Sequence, residues 1–324
     1  FQFIFLDKKQ LEELLKNKLN NKMDKKRLEG LIAAPFTPMD GKGKINVGII
    51  KQYAHHLIES GVNGAFICGT TGEGVSMTLD ERKLIAEEWI ANSSEKLKIV
   101  VHVGSVCQAE CMELARHAEA SGAFAVASIA PFFFVPSTPD DLISFIKPVA
   151  ESAPGIPFYY YHMPSITGIN ISVSDFIKKA GELIPNFNGV KYTHSDFMDL
   201  QECIRASNNK YEIFNGLDEY LLCGLSLGVK SAVGSTYNFM ASIYLSLWNA
   251  FDHSDMEKAR ELQQFSVKII RILNKYGGAV RAGKAIMSLI GIDCGQCRPP
   301  IKYMDDNEKA NLKKDLADAG FFDN

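Results

Sequence analysis

At 324 residues, with 46% hydrophobic and 23% charged residues and a formal net charge of −3, the chain has an ordinary globular make-up and the length to bury a large core. Both charge signs are scattered along it, which excludes a nucleic-acid-binding basic block and a solvating acidic tail. No apolar run is long enough to span a membrane, and the 7 cysteines, odd in number and spread along the chain, read as reduced thiols of a cytoplasmic protein rather than a disulfide framework.

Residues 1–27 are rich in Lys, Asn, Glu and Leu and contain neither Gly nor Pro. They read as a short amphipathic helix or a disordered arm outside the functional fold, with Met23 near the natural start. The apolar residues 1–6 are too few for a signal-peptide core, and Asp7, Lys8 and Lys9 follow at once. From Leu28 a unit repeats: a short apolar segment, a turn, an amphipathic helix. The apolar segments are 30–35, 64–69, 98–103, 124–130, 157–162, 187–193, 211–216 and 230–235. Most are continuous rather than alternating, as expected of parallel strands covered on both faces.

The intervening stretches have helical periodicity, as in Ile50, Ala54, Leu57 and Ile58, and in Cys111, Leu114, Ala115 and Ala118. Thr78 with Glu81 spells a capping box, and Thr138-Pro139-Asp140-Asp141 gives an N-cap, a first-turn proline and two acids. Eight βα units predict a closed (β/α)8 TIM barrel over 28–238 rather than an open doubly wound sheet. The excess length, 239–324, is an appended helical region whose helices run over roughly 239–291.

In such a barrel the chemistry sits where strands end. The second segment ends in Gly69-Thr70-Thr71-Gly72-Glu73-Gly74, whose hydroxyls and backbone amides suit an anion such as a carboxylate; an ordinary glycine-rich turn has the same spelling. The fifth ends in Tyr159-Tyr160-Tyr161-His162-Met163-Pro164, and Tyr161, nearest the C-terminal end, is the candidate among three tyrosines that otherwise serve as core residues. The sixth reads Gly189-Val190-Lys191-Tyr192-Thr193. A lysine in an apolar strand either snorkels or pairs, or loses its hydration and becomes a nucleophilic amine for a carbonyl. The seventh and eighth lead into Asn215-Gly216-Leu217-Asp218-Glu219 and Gly234-Ser235-Thr236-Tyr237-Asn238, where carboxylates and hydroxyls either meet sugar hydroxyls or cap helices.

Other residues read as bland. Cys294-Gly295-Gln296-Cys297 has no second ligand pair and reads as surface thiols; the histidines lack metal-ligand spacing; His55 and His56 read as solvated and Lys284 as a surface charge. No metal and no cofactor is expected.

The strand-end residues together resemble the class I aldolase superfamily of dihydrodipicolinate synthase and N-acetylneuraminate lyase, over about 28–304. Gly69-Thr70-Thr71-Gly72-Glu73, Tyr161 followed by Pro164, and Lys191-x-Thr193 carry the likeness to the whole superfamily. Residues 157–164, 214–219 and 234–238 resemble the lyase branch, and 157–164 is close to its vertebrate form. The resemblance implies that Lys191 forms a Schiff base with the keto carbon, that Tyr161 carries protons, and that Thr70 and Thr71 hold a carboxylate. It implies also that Thr193, Gly216, Asp218, Glu219 and Ser235 line the sugar end, and that the chain assembles as a homotetramer. The implied reaction is reversible cleavage of N-acetylneuraminate to N-acetyl-D-mannosamine and pyruvate. The alternatives are a related pyruvate-dependent aldolase acting on another 2-keto sugar acid, and a non-catalytic sialic-acid-binding regulator on the same barrel.

Two departures stand out. The synthase carries an arginine for a second carboxylate where this chain has Ile166. Bacterial relatives place a tyrosine after strand 4, where this chain has Phe132, Phe133 and Phe134.

Overall fold

The computed structural model describes residues 27–323; the readings of residues 1–26, including the arm and the start near Met23, lie outside the described residues. Eight parallel strands close into a barrel in sequence order: β1 (Gly30–Ala33), β2 (Gly64–Ile67), β3 (Lys98–His102), β4 (Ala125–Ile129), β5 (Phe158–His162), β6 (Phe187–Tyr192), β7 (Glu212–Asn215) and β8 (Ser231–Gly234), with β8 pairing back onto β1. Each lies within its predicted segment.

The continuous apolar runs have the expected cause, because alternate residues face two different cores. Ile32, Phe66, Val100, Ala127, Tyr159, Tyr161, Phe214 and Val233 fill the interior. Leu31, Ile67, Val101, Val126, Tyr160, Val190 and Ile213 pack outward against the helices.

Twelve α-helices lie among the described residues: α1 (Ile50–Glu59), α2 (Leu79–Ala91), α3 (Gln108–Ala120), α4 (Pro139–Glu151), the single turn α5 (Pro164–Thr167), α6 (Val173–Leu183), α7 (Phe197–Ser207), α8 (Leu221–Leu227), α9 (Tyr237–Asp252), α10 (Met256–Lys275), α11 (Ala279–Leu289) and α12 (Asp306–Asp318). Both predicted caps form: Thr78 and Glu81 open α2 with a reciprocal capping box, and Thr138 and Asp141 do the same for α4, each worth about 1 kcal/mol. The helix α9 follows β8 as α1 follows β1, and α10–α12 come after it. The last of these lies beyond the predicted 239–291 stretch and opens with its own capping box, Asp305 with Glu308. None of the helices is long and apolar enough to cross a membrane.

The N-terminal end of the barrel is closed by polar contacts around Glu212. Its carboxylate accepts from the Leu28 amide at 2.7 Å, the Tyr159 hydroxyl at 2.6 Å and the Asn188 amide at 2.7 Å. Burial pushes this carboxyl up to about 7 even with those donors present.

Candidate active site

All of the singled-out strand-end residues follow or end strands at one face, the C-terminal mouth. Strand register brings two of them together. Tyr161 on β5 pairs with Lys191 on β6, and both are buried. The Lys191 Nζ stands 4.1 Å from the centre of the Tyr161 ring and 4.3 Å from that of Phe66, so two aromatic faces flank the amine. Of the three tyrosines, Tyr160 faces outward, Tyr159 is held at the far end by Glu212, and Tyr161 alone combines an inward face with the mouth.

The Tyr161 hydroxyl lies 3.3 Å from Thr70 Oγ1 and 2.9 Å from Met163 Sδ. Thr70 thus links the β2 turn to the phenol; Thr71, next to it, is half-buried. On the other side, Thr193 Oγ1 is buried and has no hydrogen-bond partner among the described residues, which leaves a donor and an acceptor open to a ligand. It sits against Gly216, where a Cβ would fall 2.1 Å from that oxygen, so only glycine lets β7 pass so near.

Asp218 is 6% exposed, and its Oδ2 accepts from both the amide (2.8 Å) and the hydroxyl (2.6 Å) of Thr236, the residue that precedes α9. Burial raises its carboxyl to about 6, against the lowering effect of these bonds and of the Lys191 charge. Part of its bonding capacity therefore serves the scaffold, by tying the β7 end to Thr236; neither Asp218 nor Ser235 makes a helix-capping bond, so the capping alternative is not what the side chains do. Glu219 and Ser235 are half-buried at the ends of β7 and β8.

Two residues missed by sequence reasoning, His102 and Phe66, support this centre. His102 is buried on β3; the Ile129 amide donates to its Nε2 at 3.2 Å, so Nδ1 carries the proton and donates to the Cys68 carbonyl at 3.1 Å. Burial, then the charges of Arg82 and Lys191, hold its pKa well below the usual histidine value, and its neutral ring packs edge-on to Tyr161. The bulky aromatic partner of Lys191, Phe66, gave no signal beyond an apolar strand.

Three bland readings need correction. Lys284 is not a surface charge: it is 2% exposed and ion-paired with Glu73, Nζ to Oε1 2.7 Å. Its neighbours Ala282, Gly283 and Ala285 are small, and that flanking was the legible signal. The cysteine pair is not at the surface: Cys294 is fully buried and Cys297 half-buried, and burial pushes their thiols up to about 12 and about 11. His55 is exposed as expected, but the His56 ring reaches the Asn238 carbonyl at 2.8 Å. In the aromatic run, Phe132 packs on the interior cluster while Phe133 and Phe134 are 76% and 85% exposed. No group of side chains able to hold a metal occurs among the described residues.

Comparison with known proteins fits this geometry. The model of the dihydrodipicolinate synthetase family matches residues 27–319. The N-acetylneuraminate lyase of Gallus gallus is 42% identical over 281 residues, covering 86% of this chain and 91% of that one. The Homo sapiens N-acetylneuraminate lyase is 40% identical over 297 residues, covering 89% and 93%. Among solved structures, Proteus mirabilis N-acetylneuraminate lyase superposes with a TM-score of 0.88 at 41% identity, covering 91% of this chain and 99% of that one.

Proposed function

The chain belongs to the dihydrodipicolinate synthetase family, and from that premise we propose that it is a Schiff-base aldolase that cleaves N-acetylneuraminate reversibly to N-acetyl-D-mannosamine and pyruvate. The observation that carries this reading is the pairing of Lys191 with Tyr161 inside the barrel mouth, beside the Thr70 hydroxyl, in a chain about 40% identical to vertebrate N-acetylneuraminate lyases.

The Lys191 amine adds to the keto carbon of the open-chain sugar acid and water leaves, giving an iminium. Tyr161 takes the proton of the hydroxyl on the β carbon as the bond between the α and β carbons breaks. The electron pair of that bond flows into the iminium, and the aldehyde departs from an enamine. The enamine is reprotonated at carbon by the phenol, and water hydrolyses the imine to pyruvate and free Lys191. A phenol that accepts a proton must first part with its own, and the route is the Thr70 hydroxyl 3.3 Å away with the substrate carboxylate beyond it. Thr70 and Thr71 hold that carboxylate, so the keto carbon faces the amine. Thr193, Gly216, Asp218, Glu219 and Ser235 line the sugar end.

A pure binder of sialic acid has no use for an amine and a proton carrier in contact. Ile166, 52% exposed in α5, offers no cation for a second carboxylate, which disfavours synthase chemistry. In this reading the catalytic unit begins at 28 and, because α9 (Tyr237–Asp252) is the helix that follows β8, runs through 252 rather than stopping at 238, with the later helices appended, and the protein works in the cytoplasm as a homotetramer without a cofactor. The test is pyruvate release, measured side by side from N-acetylneuraminate and from other 2-keto sugar acids, with condensation of pyruvate and aspartate semialdehyde as the comparison. N-acetylneuraminate is expected to be the efficient substrate. Efficient condensation with the semialdehyde, or no pyruvate from N-acetylneuraminate, would overturn the assignment.

A further inference from the structure

Among the described residues, the ion pair of Lys284 on α11 with Glu73 is the one whose two side chains are both fully buried. It sits just behind the turn that carries Thr70 and Thr71. Lys284 faces Glu73 Oε1 as a charge partner without a formed hydrogen bond, while its ammonium donates to the Gln296 carbonyl at 2.7 Å and the second Glu73 oxygen accepts from the Arg298 amide at 2.7 Å. The Arg298 guanidinium in turn binds Glu81 through both carboxylate oxygens (2.7 and 2.5 Å) and the Ser76 carbonyl (2.8 Å). Three separate parts of the chain, α11, the 296–298 segment and the β2 turn with the start of α2, therefore meet on one carboxylate. Close approach of α11 is allowed by Gly283, where a Cβ would fall 2.2 Å from the Phe36 ring.

The backbone of this turn is strained at both ends. Cys68 (φ 57°) and Glu73 (φ 54°) adopt the left-handed region that non-glycine residues avoid, and they bracket the two threonines. The Glu73 amide donates to the Thr70 carbonyl at 3.1 Å, so the place of Glu73 sets the place of Thr70, and Thr70 reaches the Tyr161 hydroxyl. A buried ion pair adds little to stability compared with apolar residues of the same shape, whereas separating its two charges is costly, so it holds both side chains in place. The burial and the strained backbone together mark a device for position.

We propose that Lys284 is a positioning residue for the substrate carboxylate: through Glu73 it holds the Thr70–Thr71 turn in the shape that presents both hydroxyls to a 2-keto acid. This rests on the Schiff-base reading above, in which those threonines bind the carboxylate.

The experiment compares two carbonyl compounds in borohydride trapping, followed by intact mass: pyruvate, and hydroxyacetone, which has no carboxylate. Wild type, Lys284→Met and the double variant Glu73→Gln/Lys284→Met are titrated with each. A misplaced pair of hydroxyls loses charge-assisted hydrogen bonds, so half-trapping by pyruvate should need about tenfold to a hundredfold more in both variants. Half-trapping by hydroxyacetone should shift by no more than about twofold, since its imine needs only the amine. The single variant strands a buried carboxylate and should melt earlier; the double variant, with both charges removed, should recover most of that loss while keeping the pyruvate defect. Equal shifts for the two compounds, or an unshifted pyruvate titration, would overturn the proposal while leaving the Schiff base intact. Absence of any adduct in wild type would sink the Schiff-base reading and this inference with it.

Discussion

Tyr161 and Lys191 hold paired positions on adjacent strands, and the Lys191 nitrogen stands over the Tyr161 ring while the ring's hydroxyl reaches Thr70. One side chain therefore meets the amine with its face and the proton route with its edge, and the two roles can be separated by experiment.

Tyr161→Phe keeps the ring and removes the phenol. Imine trapping with pyruvate should persist, whereas turnover of N-acetylneuraminate should fall by about 10²–10⁴-fold, the range for loss of a general acid–base. Stopped-flow or quench measurements of the two steps check this; turnover within a few-fold of wild type would remove Tyr161 from the proton transfers.

The barrel floor gives a pH signature distinct from catalysis. The Glu212 carboxyl lies at about 7 in the fold against 4.5 for the free group. A raised acid stabilises most when protonated, so its contribution is complete below 4.5 and is lost as pH rises through about 7. The shift corresponds to about 3 kcal/mol at most. Glu212→Gln cannot titrate, so its melting temperature relative to wild type should climb between pH 4.5 and pH 7 and then level off. Melting curves for the two proteins that stay parallel across this window would contradict the raised carboxyl.

Assembly is checked at the other face. Phe133 and Phe134 are exposed side by side with Val135, 48% exposed, an apolar surface suited to a second copy. Light scattering should report four chains for the wild type and a smaller species for Phe133→Ser/Phe134→Ser. A wild-type monomer at micromolar concentration would rule out the tetramer.

How much of this was legible follows from what a single sequence encodes. The barrel was, because parallel strands buried on both faces must be apolar throughout, and eight such runs alternate with helical periodicity. Lys191 stood out because a charge breaks such a run. The Tyr161 choice rests on strand direction and on the family resemblance, and the structure adds the inward face that distinguishes it from Tyr160. Lys284 was misread because the surface-charge reading took a lysine in a late helix as solvated by default; its partner Glu73 lies 211 positions away, and only folding reveals the pairing. Cys294 reads wrongly for a related reason, since its loop is held against the segment after β1, with the Met39 amide donating to the Cys294 carbonyl at 3.1 Å, and no local pattern reveals that contact.

The central claim is that Lys191 is the amine that makes the imine. Reduction with borohydride in the presence of pyruvate should trap one adduct per chain, and peptide mapping should place it on Lys191. Lys191→Ala should abolish trapping and turnover together, and Lys191→Arg should do the same because a guanidinium stays protonated. An adduct mapped to any other lysine, or a Lys191→Ala variant that still releases pyruvate from N-acetylneuraminate, would contradict the account.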